Sequence, residues 1–214
     1  MNGNKFREHV LSRSHSRVSH LHVRLTITCA AIALLAFGCG GLWRQAPPGT
    51  ITASDARMVL PFADRYYYKE HRLSANESQS INERLGRPIT SPGEVITYYR
   101  VSRNPRRPIG ETGNVFVERV ESPQGPLRVI IAVRGGVVRH SVVQGGAGSP
   151  VVSHEFLDQF VDRDLGHSFE VATDPEAFHR IPVPIAPIAG QVELSQRIAD
   201  AVRKTLVIAQ EIER

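Results

Sequence analysis

The stretch that decides the fold is residues 113–143, GNVFVERVESPQGPLRVIIAVRGGVVRHSVV. Its apolar residues alternate with polar ones at the start and run together in the middle, which is typical of strands. Two turn signals divide it, Ser122-Pro123-Gln124-Gly125 and Arg134-Gly135-Gly136, and the second of them favours a short hairpin. Three consecutive antiparallel strands are therefore predicted, at residues 113–121, 126–133 and 137–143.

The sequence on either side of this stretch adds one strand and several helices. Residues 95–101 (VITYYRV) alternate in the same way and predict a fourth strand. Helices are predicted from helical spacing and from capping residues: Thr52 or Ser54 before the first, Gly86 after the second and Ser153 before the third. They lie at residues 55–60, 76–85, 154–160 and 193–211. Helices flanking an antiparallel run predict an α+β fold with a sheet of about four strands.

The net positive charge of the chain comes entirely from its N-terminal part. The 214 residues carry 26 Lys plus Arg against 21 Asp plus Glu, a formal net charge of +5. Up to Arg44 there are six basic residues and one acidic residue, and after it there are 20 of each. Because the body is formally neutral, no nucleic-acid partner is predicted for it.

The same part of the chain predicts a membrane anchor. Residues 25–43 (LTITCAAIALLAFGCGGLW) contain no charge and would span about 28 Å as a helix, which is just enough for a bilayer. The positive-inside rule keeps the basic leader, residues 1–24, in the cytoplasm. We therefore expect a single-pass transmembrane signal anchor in the cytoplasmic membrane. A linker at residues 44–51 then leads to a domain at residues 52–214 on the outer (periplasmic or extracytoplasmic) side.

Two other interpretations of the apolar stretch stay open. One is a cleaved secretory signal, although no small-x-small site follows the apolar run. The other is a lipoprotein signal that ends at Cys39, although Phe37 is bulky for such a signal. Both also export the body. Cys29 and Cys39 both lie in this stretch, so the body has no disulfide, thiol nucleophile or cysteine-ligated zinc. The spacing of its histidines fits no metal-ligand pattern, and no metal site is predicted.

Three places in the body support a resemblance to a known family. They are LPFAD at 60–64 with INERLG at 81–86, IAVRGGVV at 131–138 followed by EFLDQF at 155–160, and PIAG at 187–190 leading into SQRIADAVR at 195–203. In this order they resemble the FMN-binding domain family. That family includes flavin-carrying subunits of Rnf and sodium-pumping NADH:quinone reductase complexes, and nitrous-oxide regulators. The resemblance covers roughly residues 52–211.

The resemblance implies a flavin site just before the last helix, where the family carries Ser-Gly-Ala-Thr and a following Ser. The Thr of that signature forms a phosphoester with FMN in the ion-pumping subunits. Val192 stands at the matching position here and has no hydroxyl, so covalent attachment is not expected. The resemblance implies a non-covalent cofactor site at Ala189, Gly190, Gln191 and Ser195, together with Gly146 and Gly148 of a glycine-rich loop. Ser195 also suits the N-cap of the last helix.

Two functions follow as alternatives. If FMN is retained, the resemblance implies an electron-transfer accessory that works with membrane redox or envelope proteins. If it has been lost, the domain is a non-catalytic envelope interaction module. Glu193 favours the second alternative, because its negative charge would repel a phosphate. No catalytic residue is assigned in either case.

Overall fold

The computed structural model of the chain describes residues 50–104, 110–174, 176 and 180–214. The predicted leader at residues 1–24, the transmembrane anchor at residues 25–43 and most of the linker lie outside them, so these remain predictions. Among the described residues no helix has the length and apolar character that crossing a membrane requires.

The described body contains a five-stranded antiparallel sheet whose strands neighbour one another in chain order. The strands are β1 (Arg65–Arg72), β2 (Val95–Ser102), β3 (Gly113–Val120), β4 (Leu127–Arg134) and β5 (Val137–Gly145). The α+β class is confirmed, whereas the expected count of about four strands is one short. The additional strand, β1, lies at the edge of the sheet and is mostly exposed. It therefore lacks the apolar alternation that reveals a half-buried strand.

Four helices accompany the sheet in the described residues. They are α1 (Ala53–Val59), α2 (Ala75–Leu85), α3 (His154–Asp158) and α4 (Val192–Ile212). Hydroxyl side chains cap the first three: Thr52 and Ser74 form capping boxes with the third residue of their helices, and Ser153 caps α3. Gly86 ends α2 in the left-handed conformation, as predicted, with a φ of 70°.

The helices cover both faces of the sheet. α2, α3 and α4 pack on one face, where Phe116, Ile131 and Phe160 lie in the larger of two apolar clusters. α1 packs on the other face over Val115 and Ile130. β4 contributes alternate residues to both clusters and is buried along most of its length, which explains why its middle is a continuous apolar run rather than an alternating one.

Candidate functional site

The residues implicated by the resemblance lie at one end of the sheet, where β3 turns into β4. Gly145 pairs with Leu127, the first residue of β4, so the glycine-rich loop after β5 begins there. The start of α4 reaches the same end, because Gly190 and Gln191 line a hollow together with Pro123 of the β3–β4 turn. The fold thus brings two segments about 40 residues apart to one edge of the molecule.

The hollow at the start of α4 has a volume of about 250 Å³. Ala189 and Gly190 are exposed beside it, and Gly190 has a φ of 70°, which a residue without a side chain adopts most easily. The backbone N–H of Gln191 donates to the carbonyl of Ile188 at 2.9 Å and closes the turn. Gln191 is the N-cap residue of α4, and no side chain caps this helix end. The N–H groups of the first turn therefore lack acceptors within the helix.

Ser195 has a structural role that the sequence did not predict. It lies inside α4 and not at its N-cap, and it is fully buried. Its Oγ donates to the carbonyl of Gln191 at 2.7 Å and accepts the backbone N–H of Ile188 at 2.9 Å. The hydroxyl proton is thus already donated within the chain, and the side chain fixes the turn that holds Gly190.

Val192 and Glu193 also line the hollow. Val192 is 36% exposed and presents only methyl groups. The carboxylate of Glu193 pairs with the guanidinium of Arg197 one turn along α4, and Arg197 also donates to the carbonyl of Glu121 at 3.0 Å. The charge of Glu193 is therefore balanced by a cation that the sequence reasoning did not consider.

The two glycines of the loop after β5 lie apart from this hollow. Gly146 and Gly148 are exposed, and Gly148 has a φ of 85°. Gly146 lines a second depression with Pro126 and Arg128 at the start of β4. The two predicted groups of site residues share one end of the sheet, but Gly190 and Gln191 line one depression and Gly146 lines another.

A larger charged depression continues the first one along α4. It has a volume of about 480 Å³ and shares Glu121 and Arg197 with the first hollow. Lys204 donates to Glu118 of β3 at 2.8 Å across it. Sequence reasoning missed this surface, although Arg197 and Lys204 are seven residues apart on a helix and so share one face.

Comparison with known protein families, curated proteins and solved structures finds no match. The resemblance to the FMN-binding domain family therefore depends on the sequence motifs given above. No group of three or more His, Cys, Asp or Glu side chains that could hold a metal ion occurs within the described part of the chain.

The Glu118–Lys204 pair makes the stability of the domain depend on pH. Burial raises the pKa of the Glu118 carboxyl, and the Lys204 ammonium lowers it in part. A raised pKa means that ionisation is less favourable in the folded chain than in the unfolded chain. The free energy of unfolding of the wild type relative to that of Glu118→Gln should then be constant above the pKa that Glu118 has in the folded chain. It should rise as the pH falls through that pKa towards the ordinary value of 4.5.

Urea unfolding of both proteins across this pH range measures the difference. Lys204→Met removes the attracting cation and should move the onset of the rise to higher pH. A difference that is independent of pH, or that falls with decreasing pH, would show that Glu118 ionises as freely in the folded chain as in the unfolded one.

Proposed function

We propose that the domain binds FMN non-covalently at the start of α4 and acts as an electron-transfer accessory. In this proposal the chain is anchored in the cytoplasmic membrane with the domain on its outer side, and its partners are membrane redox or envelope proteins. One observation carries the proposal: the uncapped N-terminus of a 21-residue helix, preceded by Gly190, borders a hollow at the position that the resemblance implicates.

The residues of the hollow fit a phosphate group. Uncapped N–H groups at a helix N-terminus bind anions, and Gly190 leaves the backbone accessible because nothing lies within 4 Å of the point where a Cβ would be. Arg197 supplies a cation at the edge of the hollow. Val192 and Pro123 supply apolar surface. Bound FMN would provide one-electron chemistry, and the chain would position it and shape its electrostatic surroundings.

A second candidate is a non-catalytic interaction module without flavin. The use of the Ser195 hydroxyl within the turn supports it, because that group has no proton left to donate to a ligand. Two carboxylates, Glu121 and Glu193, also line the hollow. Under this candidate the FMN-binding scaffold serves only protein contacts.

Titration of the purified full-length chain with FMN separates the two candidates. Flavin fluorescence should be quenched on binding, with a dissociation constant on the order of 1 µM, and riboflavin should bind at least about tenfold more weakly because it lacks the phosphate. Arg197→Gln should weaken FMN binding about tenfold. Arg203→Gln, an exposed position on the same helix that bonds the carbonyl of Arg84, should change it less than about twofold.

The flavin proposal fails if FMN at about 100 µM, far above that dissociation constant, is not bound. Equal binding of FMN and riboflavin would also count against it, since the phosphate would then make no contribution. Either result favours the interaction module.

A further inference from the structure

A separate cavity lies at the opposite end of β4, beside the β4–β5 hairpin. It has a volume of about 490 Å³, which is within the range of small-molecule sites. It is lined by the C-terminal end of α1, the segment before β3, the end of β4 and residues 161–162. Eight residues of β4 separate this end of the sheet from the flavin end, about 25 Å at the rise of an extended strand.

A β-bulge places two polar side chains at this cavity. Ala132 pairs with His140 and Val133 pairs with Val138, so Arg139 is an additional residue without a partner on β4. In a regular strand two consecutive residues point to opposite faces. The bulge breaks that alternation, so Arg139 and His140 both line the cavity.

Two of the charged side chains of the cavity form an ion pair with each other, and a third accepts a backbone hydrogen bond. Arg139 donates to the carboxylate of Asp162 at 2.7 Å, and Asp162 is itself fixed by its backbone N–H, which donates to the carbonyl of Val138 at 2.9 Å. Glu111 accepts the backbone N–H of Phe62 at 2.9 Å. Arg134, which pairs with Val137 through the β4–β5 ladder, also lines the cavity. Its side chain makes no hydrogen bond or ion pair with any residue that the structure describes. Among the described lining residues, its guanidinium is the cation that no carboxylate pairs with, so it is available to an anionic ligand.

The rest of the wall determines what kind of anion fits. Met58, Val59, Leu60 and Val161 give it apolar surface. Two carboxylates, Glu111 and Asp162, would repel a dianion such as a phosphate monoester more than a monoanion. A guanidinium binds a carboxylate through two parallel hydrogen bonds.

We propose that this cavity binds an organic monocarboxylate, with Arg134 holding the carboxylate and the apolar wall holding the body of the ligand. His140 adds a polar group beside it. The site is independent of the proposed flavin site, because the two lie at opposite ends of β4 and share no lining residue.

Benzoate is a suitable probe, since it joins one carboxylate to a compact apolar ring. Titration of the ¹⁵N-labelled full-length chain should give a dissociation constant on the order of 1 mM, with amide shifts concentrated at residues 110–112, 139–140 and 161–162. Benzamide, the neutral isostere, should bind at least about tenfold more weakly. Glu111→Gln should strengthen benzoate binding severalfold, because it removes a repelling charge and keeps an acceptor for Phe62.

Arg134→Gln is the decisive variant and should weaken benzoate binding at least about tenfold. Arg100→Gln removes an exposed arginine from a different strand that does not line the cavity, and it should change binding less than about twofold. Arg134 is exposed, so its variant should keep the amide spectrum of the folded chain. The proposal is overturned if benzoate causes no shifts at the cavity, if Arg134→Gln binds as the wild type does, or if inorganic phosphate binds more tightly than benzoate.

Discussion

Arg163→Met is expected to lower the free energy of unfolding by about 3–5 kcal/mol. The Arg163 side chain is almost completely buried, and its guanidinium donates to three backbone carbonyls. These belong to Gln159 at 2.7 Å, Ser168 at 2.6 Å and Val183 at 3.0 Å. Methionine would fill most of the space but leave those carbonyls without a donor inside the protein. The effect is large because unsatisfied buried polar groups are costly.

Urea unfolding followed by circular dichroism measures this loss. Arg163→Lys keeps the charge but cannot reach three carbonyls, so it should be intermediate. Arg119→Met breaks an exposed ion pair with Glu121 and should cost less than about 1 kcal/mol. A loss below about 1 kcal/mol for Arg163→Met would mean that water replaces the guanidinium at all three carbonyls. Because Arg163 follows Asp162, the same variant should also disturb the wall of the cavity that Arg134 and Asp162 line.

Asp55→Ala is expected to lower the free energy of unfolding by about 3 kcal/mol. Asp55 is buried, and its Oδ2 accepts hydrogen bonds from the backbone N–H of Thr52 at 2.7 Å, the Thr52 hydroxyl at 2.8 Å and Arg128 at 2.7 Å. The carboxylate thus caps α1 and fastens it to β4. Its loss removes the Asp55 half of the capping box and leaves the Arg128 guanidinium, which is 34% exposed, with only part of its pairing.

A double-mutant cycle with Arg128→Met separates the cap from the ion pair. We expect a coupling energy of at least about 1 kcal/mol between the two positions, since they are in direct contact. Glu121→Ala, which removes an exposed carboxylate, is the control and should cost less than about 1 kcal/mol. Additive effects at Asp55 and Arg128 would show that the pair contributes nothing beyond the cap.

Several capping residues and turns of the body were predictable from the sequence because each is a local feature. Thr52, Ser153 and Gly86 act within a few residues of their own positions, and the helices begin or end where these residues predict. β1 was missed for the converse reason. An edge strand with the sequence RYYYKEHR is defined by its pairing with β2, 30 residues away, and its own pattern does not indicate it.

The candidate flavin site likewise combines features that the sequence predicted with features that it did not. The sequence indicated Gly190 and Gln191, and it excluded an ester at Val192 because valine has no hydroxyl. It did not indicate that Ser195 is turned inward to hold the turn, or that Arg197 neutralises Glu193. The first depends on how the chain folds back before α4, whereas the second is an i,i+4 pair that the predicted helix already allowed but that the sequence reasoning overlooked. Arg163 gave no signal at all, because its three acceptors are backbone atoms that any residue type provides.

By itself the sequence determined the α+β class, the order of the elements other than β1, and the absence of a hydroxyl at Val192. These depend on periodicity, capping and side-chain composition, which operate over a few residues. The tertiary structure decided which side chains meet: the glycine-rich loop at the same end as α4, Asp55 against Arg128, and Arg134 beside the bulge that carries Arg139 and His140. The physical reason is that these contacts join segments distant in sequence, so they are set only when the sheet brings those segments together.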